Sequence, residues 1–222
     1  MKGKIIVFEG LDGSGKCTQS KILFDDLKNK GINVHWESIP NYNSLSSGPI
    51  KMYLNKEITD NLYDINEYST SSFFAVDRVI NYFQNWKKIY ENGSIVICDR
   101  YCTSNMIYQL AKTNRIEWDS FLEWECDYEY NKLTLPRPDM VIYLKVPIKI
   151  SQNLIKKRSS PDLYESNKDF LEKCSNAADY SSKKFNWNVI NCSQDGENID
   201  SIEEISKKII DIVKKLLTDK SG

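Results

Sequence analysis

The run Gly10-Leu11-Asp12-Gly13-Ser14-Gly15-Lys16 constrains this chain more than any other stretch of it. It fits the pattern G-x-x-x-x-G-K, and its surroundings fit as well. An unbroken apolar run, Ile5–Phe8, leads in, and an amphipathic stretch, Thr18–Lys30, leads out. Glycines at these positions let the backbone curl until successive N–H groups face one anion, and the start of the following helix adds positive potential. Lys16 then reaches the outer phosphates as a point charge. A glycine-rich turn without a ligand needs neither the lysine nor the strand-to-helix setting. The run therefore predicts a nucleotide-phosphate cradle made of Gly10, Gly13, Ser14, Gly15, Lys16, Cys17 and Thr18.

Cys17 stands where the pattern calls for Ser or Thr, whose hydroxyl binds Mg²⁺. Magnesium is a hard ion that prefers oxygen, and a thiol is a soft ligand. Thr18 follows, but one residue along a helix turns about 100°, so it is not a direct substitute. The expectation is a metal held by ATP phosphates, waters and a carboxylate. The helix start and the neighbouring Lys16 also predict a lowered thiol pKa and a reactive Cys17.

Apolar runs alternate with amphipathic stretches along the whole chain. Strands are expected at Ile5–Phe8, Val34–Trp36, Ile95–Cys98, Val141–Val146 and Asn188–Ile190. Helical patterns cover Lys16–Lys30, Ser44–Leu54, Asn66–Glu91, Ser104–Ala111, Trp118–Asn131, Ile148–Lys157, Lys168–Lys184 and Ile202–Leu217. This alternation predicts an α/β fold of three layers, a five-stranded parallel sheet flanked by helices. A length of 222 residues suits one domain over 1–222, with a short mobile lid at about 156–167, where Pro161 interrupts a polar stretch. Thirty Lys+Arg against 31 Asp+Glu give no basic excess, which argues against nucleic acid as a partner. No apolar run reaches the length of a membrane span. Six cysteines without a C-x-x-C pair suit free thiols in a reducing compartment, and the N-terminus shows no signal pattern, so a cytoplasmic location is expected. The lone histidine, His35, reads as structural and excludes any mechanism needing two.

A second cluster follows the third expected strand: Ile95-Val96-Ile97-Cys98-Asp99-Arg100-Tyr101. A carboxylate at a strand end beside the cradle can orient Mg²⁺ through water, and Arg100 can clamp a phosphate. Taken with Phe8-Glu9-Gly10 at the cradle, Phe74-Ala75-Val76-Asp77-Arg78, the longer run Asp99–Gln109 and Pro136-Arg137-Pro138-Asp139, the sequence resembles thymidylate kinases over nearly its whole length. The D-R-Y-x-x-S-x-x-x-Y-Q spacing from Asp99 to Gln109 is the most specific part of the resemblance.

The resemblance implies transfer of the γ-phosphoryl group of ATP to dTMP, with Mg²⁺ as cofactor and ATP and dTMP as small-molecule partners. It implies that Phe74 stacks on thymine, that Arg78 donates to a base carbonyl, and that Asn105 or Ser104 bonds the N3 edge. Tyr108 would crowd the sugar 2′ position, Arg100 would hold the acceptor phosphate, and Asp12 would accept from the sugar 3′-OH or place the acceptor. Tyr42 would reach the phosphate from a loop where relatives carry an arginine and this chain has Asn41. Asp99 would meet the metal through water. Because Asp12-Gly13-Ser14 has no cation, the lid would supply the charge-stabilising one, Arg158 first and Lys157 second, with Glu165 helping to place lid or acceptor groups. Glu9 reads as structural, and Lys145 stands where relatives carry an acid. A homodimer is expected, with the aromatic-rich helix Asn66–Trp86 as interface or, equally, as core. Rival readings are a kinase for another (deoxy)nucleotide and a nucleotide-binding protein without catalysis.

Overall fold

The computed structural model describes residues 2–155, 163, 164 and 167–218. Five strands, β1 (Ile5–Glu9), β2 (Val34–Ser38), β3 (Ile95–Asp99), β4 (Met140–Lys145) and β5 (Asn188–Asn191), form one all-parallel sheet in the order β2-β3-β1-β4-β5. The central β1 is buried at every position because both faces are covered. Its alternate side chains divide between two cores. Ile5 and Val7 face one, and Ile6 and Phe8 face the other. The second core is closed by α1 (Lys16–Asn29) through Leu23 and Leu27 and by α9 (Ile202–Thr218) through Ile205, Ile209 and Val213. The first is closed by α2 (Gly48–Leu54), α3 (Glu67–Asn81), α4 (Lys87–Glu91), α5 (Asn105–Tyr108), α6 (Trp118–Cys126) and α8 (Lys168–Lys184). α7 (Ile148–Ile155) links β4 to the segment before α8. Strand and helix placement match the expectation of three layers.

The strand order positions the site. β1 leads through α1 to the edge strand β2, and the chain returns through β3 before crossing to β4. The crevice between the carboxyl ends of β1 and β3 is therefore where the connections diverge, the usual place for a ligand in an open parallel sheet. The Pro136–Asp139 motif serves the same strand from its other end. Asp139 accepts from the Ile5 N–H at 2.8 Å and pins the start of β1.

Two long helices expected from periodicity are interrupted. The Asn66–Glu91 pattern is α3, a widened π turn at Tyr82–Trp86, and then α4. The wider turn seats the fully buried Trp86 in the core, with its indole N–H donating to Asn81 Oδ1 at 2.9 Å. Tyr82 and Trp86 are thus core, while Val76 and Phe83 of the same segment are exposed. The Trp118–Asn131 pattern likewise passes from α6 into a π turn at Asp127–Lys132. The expected helix Ser104–Ala111 is only α5 between two 3-10 turns. Apolar spacing reads burial, and it does not register an extra residue inserted in a turn. Lys145, unexplained by sequence, ends β4 with its ammonium 2.6–2.7 Å from the Asp179 carboxylate on α8.

Candidate functional site

The phosphate loop is built as its glycines require. Gly13 and Gly15 have φ of 79° and 85°, the left-handed region that other residues enter at a cost. A Cβ on Gly10 would lie 2.4 Å from Ser14 Oγ and 2.8 Å from the Leu144 carbonyl oxygen, so the loop lies directly on β4. The Lys16 ammonium is buried, donating to the Leu11 carbonyl at 2.9 Å and lying 3.4 Å from Ser14 Oγ. Burial, with the Arg100 charge behind it, pulls Lys16 down to about 8 despite Asp12. An anion placed in the loop reverses that balance.

Arg100 follows β3 directly. Its φ of 70° is unusual for a residue with a side chain and is held by its surroundings. Its own N–H donates to the Phe8 carbonyl at 3.1 Å. Glu9, wholly buried at the end of β1, gathers the next turns: it accepts from the Tyr101 N–H at 3.3 Å, Thr103 Oγ1 at 2.7 Å and Ser104 Oγ at 2.9 Å. Burial lifts the Glu9 carboxyl above its ordinary range in spite of Arg100 and these donors. So aimed, the guanidinium pairs with Asp12 and donates to Tyr108 Oη at 3.2 Å, and Tyr108 donates to the other Asp12 oxygen at 3.0 Å. Burial pushes Asp12 up, but Arg100 and Lys16 outweigh it and hold the carboxyl at about 2.

At the far end of the crevice, α3 brings Phe74 and Arg78 to one face, as residues four apart on a helix must be. Arg78 is buried and pairs in bidentate fashion with the equally buried Glu129, with Nε at 3.1 and 3.2 Å from its two oxygens. The Asn105 amide nitrogen donates to buried Glu125 at 2.9 Å. Neither acid was anticipated. The signal was present: Glu125 and Glu129 continue the spacing of the buried Trp118, Phe121 and Leu122. Acids on an apolar stripe indicate buried partners.

The phosphate loop, Arg100, Tyr108, Phe74, Arg78 and Asn105 line a single cavity of about 510 Å³, with Glu9, Glu125 and Glu129 behind its wall. Of the residues expected in the site, Asp12, Gly13, Gly15, Lys16, Cys17, Thr18, Tyr42, Phe74, Arg78, Asp99, Arg100, Ser104, Asn105 and Tyr108 all line it. Gly10 and Ser14 support the loop from behind, both buried. Gln109 and Tyr164 line it too and were not anticipated; the Gln109 amide donates to the Tyr164 hydroxyl at 2.8 Å. Asn41 shapes its turn instead, with its N–H on Asp77 at 3.0 Å and its Oδ1 accepting from the Asn43 N–H. Lys157, Arg158 and Glu165, and the expected lid apart from Leu163, Tyr164 and Asn167, lie outside the described residues.

Cys17 corrects one expectation. It is exposed, so it is not a packed core thiol, yet its pKa is raised rather than lowered. Partial burial is the larger cause, and the Asp99 carboxylate beside it is the next, outweighing Lys21. The helix start and Lys16 do not decide it. As a donor set for Mg²⁺, the carboxylate of Asp99 fits and the thiol of Cys17 does not. No group of three or more His, Cys, Asp or Glu suited to a metal occurs among the described residues, so the metal's other ligands would be phosphate oxygens and water.

Comparison with known proteins agrees with this geometry. The family model described as thymidylate kinase matches residues 8–205. The thymidylate kinase of Caldicellulosiruptor saccharolyticus is 30% identical, with 97% of this chain and 100% of that protein covered. A probable thymidylate kinase of Methanococcus aeolicus is 32% identical, covering 96% and 98%. Among solved structures, the thymidylate kinase of Candida albicans superposes with a TM-score of 0.73 at 21% identity, over 97% of this chain and 92% of that one, and shares the fold. With the family model spanning most of its length, this chain is a member of the thymidylate kinase family.

Proposed function

We propose that the chain transfers the γ-phosphoryl group of Mg·ATP to dTMP, giving ADP and dTDP. One observation carries the reading: a single cavity joins the phosphate loop at one end to Phe74, Arg78 and Asn105 at the other, with Arg100 between them. That is the layout needed to place a donor phosphate and an acceptor nucleotide end to end. Family membership supports the same activity.

In this reading the loop N–H groups and Lys16 hold the β- and γ-phosphates of ATP. Arg100 turns from Asp12 to the acceptor phosphate, with Tyr42 at the same end. An oxygen of that phosphate attacks the γ-phosphorus, and the bond from the γ-phosphorus to the β-phosphate oxygen breaks. No strong base is needed, because the attacking oxygen is already ionised, and the protein contributes positioning and charge. Asp99 would hold Mg²⁺ through water, and the metal would supply charge neutralisation at the ATP phosphates. Phe74 stacks on thymine, Arg78 donates to the base O4, and Asn105 accepts from N3–H. Ser104 is engaged by Glu9, which favours Asn105 for this contact. Asp12, freed from Arg100, accepts from the sugar 3′-OH, and Tyr108 disfavours a ribose 2′-OH. The proposal takes 1–222 as one cytoplasmic domain. It also includes a homodimer through the face exposing Val76 and Phe83, which sedimentation equilibrium decides.

Three outcomes test this account. The acceptor panel is the most direct. Arg78 offers a donor where dTMP has a carbonyl and dCMP an amino group. The mispaired group costs about 1–3 kcal/mol, so kcat/KM for dTMP should exceed that for dCMP by about ten- to a hundredfold. Equal turnover of the two, or none, overturns it.

The transition-state cation is assigned to Arg158. Arg158→Ala should lower kcat by about a hundredfold while the KM for dTMP holds. An unchanged kcat there, with a collapse in Lys157→Ala, moves the role to Lys157.

Cys17 is the exposed cysteine, and only its thiolate reacts. Because its pKa is raised, the rate of alkylation should climb at higher pH than that of a small free thiol. Asp99→Asn should shift the profile back down, and Mg·ATP should protect the residue. A profile below that of the free thiol, or no protection by nucleotide, contradicts the placement of Cys17.

A further inference from the structure

Beneath the nucleobase end of the cavity lies a second layer that the reaction itself does not use. Glu125 and Glu129 are both wholly inaccessible to solvent, one turn apart at the junction of α6 and the π turn. Two acids side by side in an apolar interior are costly unless each has a specific partner. Glu129 has one: both its oxygens accept from Nε of Arg78, and Nη2 adds a further bond. That leaves Nη1, which bonds to nothing among the described residues, as a guanidinium nitrogen for a ligand. Glu125 accepts from the Asn105 amide nitrogen, which also lies 3.5 Å from the Ser71 carbonyl. With its nitrogen committed to two acceptors beneath it, the amide has only Oδ1 to offer the cavity. Oδ1 bonds to nothing among the described residues.

We propose that the Glu125–Glu129 pair sets which base edge this site accepts, Glu129 by aiming Arg78 and Glu125 by fixing Asn105 with its oxygen toward the ligand. The edge so defined is an acceptor, Oδ1, beside a donor, Nη1. Thymine and uracil match it with N3–H and O4. Cytosine meets it with a bare N3 and an amino group, wrong at both positions. The pair reads the edge alone and is blind to the 5-methyl group.

The remaining oxygen of Glu125, Oε2, receives no hydrogen bond from the described residues. Burial and the neighbouring Glu129 raise the Glu125 carboxyl. A carboxyl raised in this way holds a proton more readily, and in its neutral form it can donate to Glu129 one turn on. This explains how two acids share the site, and why a single carboxamide could replace Glu125: it too has one acceptor and a donor.

The inference rests on the acceptor reading above, and the test separates the two. Values of kcat/KM for dTMP, dUMP and dCMP, and KM for ATP, are measured in wild type, Glu125→Gln and Glu125→Met. In Glu125→Met, Asn105 is free to turn its nitrogen to the cavity, and the dTMP-over-dCMP ratio should fall about ten- to a hundredfold. The dTMP-to-dUMP ratio and the KM for ATP should hold. Glu125→Gln should keep the dTMP-over-dCMP ratio within about threefold of wild type, since the bond to Asn105 is preserved. If the Met variant does not fold, Glu125→Asp replaces it, drawing the acceptor back by one methylene. A ratio unchanged in Glu125→Met, or in Glu125→Asp where that stands in, overturns the assignment while leaving the acceptor reading intact. A wild type without preference for dTMP over dCMP overturns both.

Discussion

The site depends on where Arg100 is held. Its left-handed backbone conformation aims the guanidinium back across the end of β1, over the phosphate loop, instead of along the sheet. That conformation has a cost, of order 1–3 kcal/mol for a residue with a side chain. It is offset by the bond from Arg100 N–H to Phe8 and by the three donors that Glu9 collects from the turn beyond. Glu9, at first glance a structural residue, is therefore what fixes the strand end to the clamp. The same arrangement brings two cations, Lys16 and Arg100, close together. Asp12 makes this tolerable by pairing with both. In the proposed reaction a doubly charged phosphate would compete with the single Asp12 carboxylate for Arg100, at about 4 kcal/mol per pair of unit charges about 4 Å apart and an effective dielectric near 20, and would release Asp12 to take the sugar hydroxyl.

The two ends of the cavity use charge differently. At the phosphate-loop end, the paired Arg100 and Asp12 side chains are partly open to solvent. At the other end, Arg78 and Glu129 are buried and already paired. A buried ion pair of this kind contributes little net stability over apolar residues of the same volume, because desolvation consumes most of the attraction. Its value is geometric. It fixes a guanidinium at the wall of the pocket, where a flexible arginine would otherwise lose entropy on binding each ligand.

Much of this was legible in the sequence, for identifiable reasons. The phosphate loop could be read because its glycines answer a backbone requirement that residues with a side chain meet only at a cost. The sheet could be read because central parallel strands are apolar on both faces, as Ile5–Phe8 and Ile95–Cys98 are. The grouping of Arg100, Tyr108, Phe74 and Arg78 around one cavity was implied by the family resemblance that the D-R-Y run and the Phe74–Arg78 segment carry. What was not legible depended on contacts between distant segments. Glu125 and Glu129 acquire meaning only once α3 and α5 lie above them. Lys145 makes sense only beside Asp179, 34 residues on. Cys17 was misjudged because its local setting, a helix start next to a lysine, points one way, while partial burial and then Asp99 at the end of β3 point the other. The widened turns at Tyr82–Trp86 and Asp127–Lys132 escaped for a related reason, since a π turn preserves the burial pattern on either side.

In the proposed reaction one cavity holds two nucleotides head to head, and Arg100 exchanges Asp12 for the acceptor phosphate. A crystal structure with dTMP and a non-hydrolysable ATP analogue tests it most directly. The account predicts thymine over Phe74 with its N3–O4 edge at Asn105 and Arg78, the dTMP phosphate on Arg100, and the analogue's outer phosphates at Lys16. It also predicts that the bond between Arg100 and Asp12 is broken. A dTMP base lying away from Phe74, or an Arg100 still bound to Asp12 with both ligands in place, would contradict it.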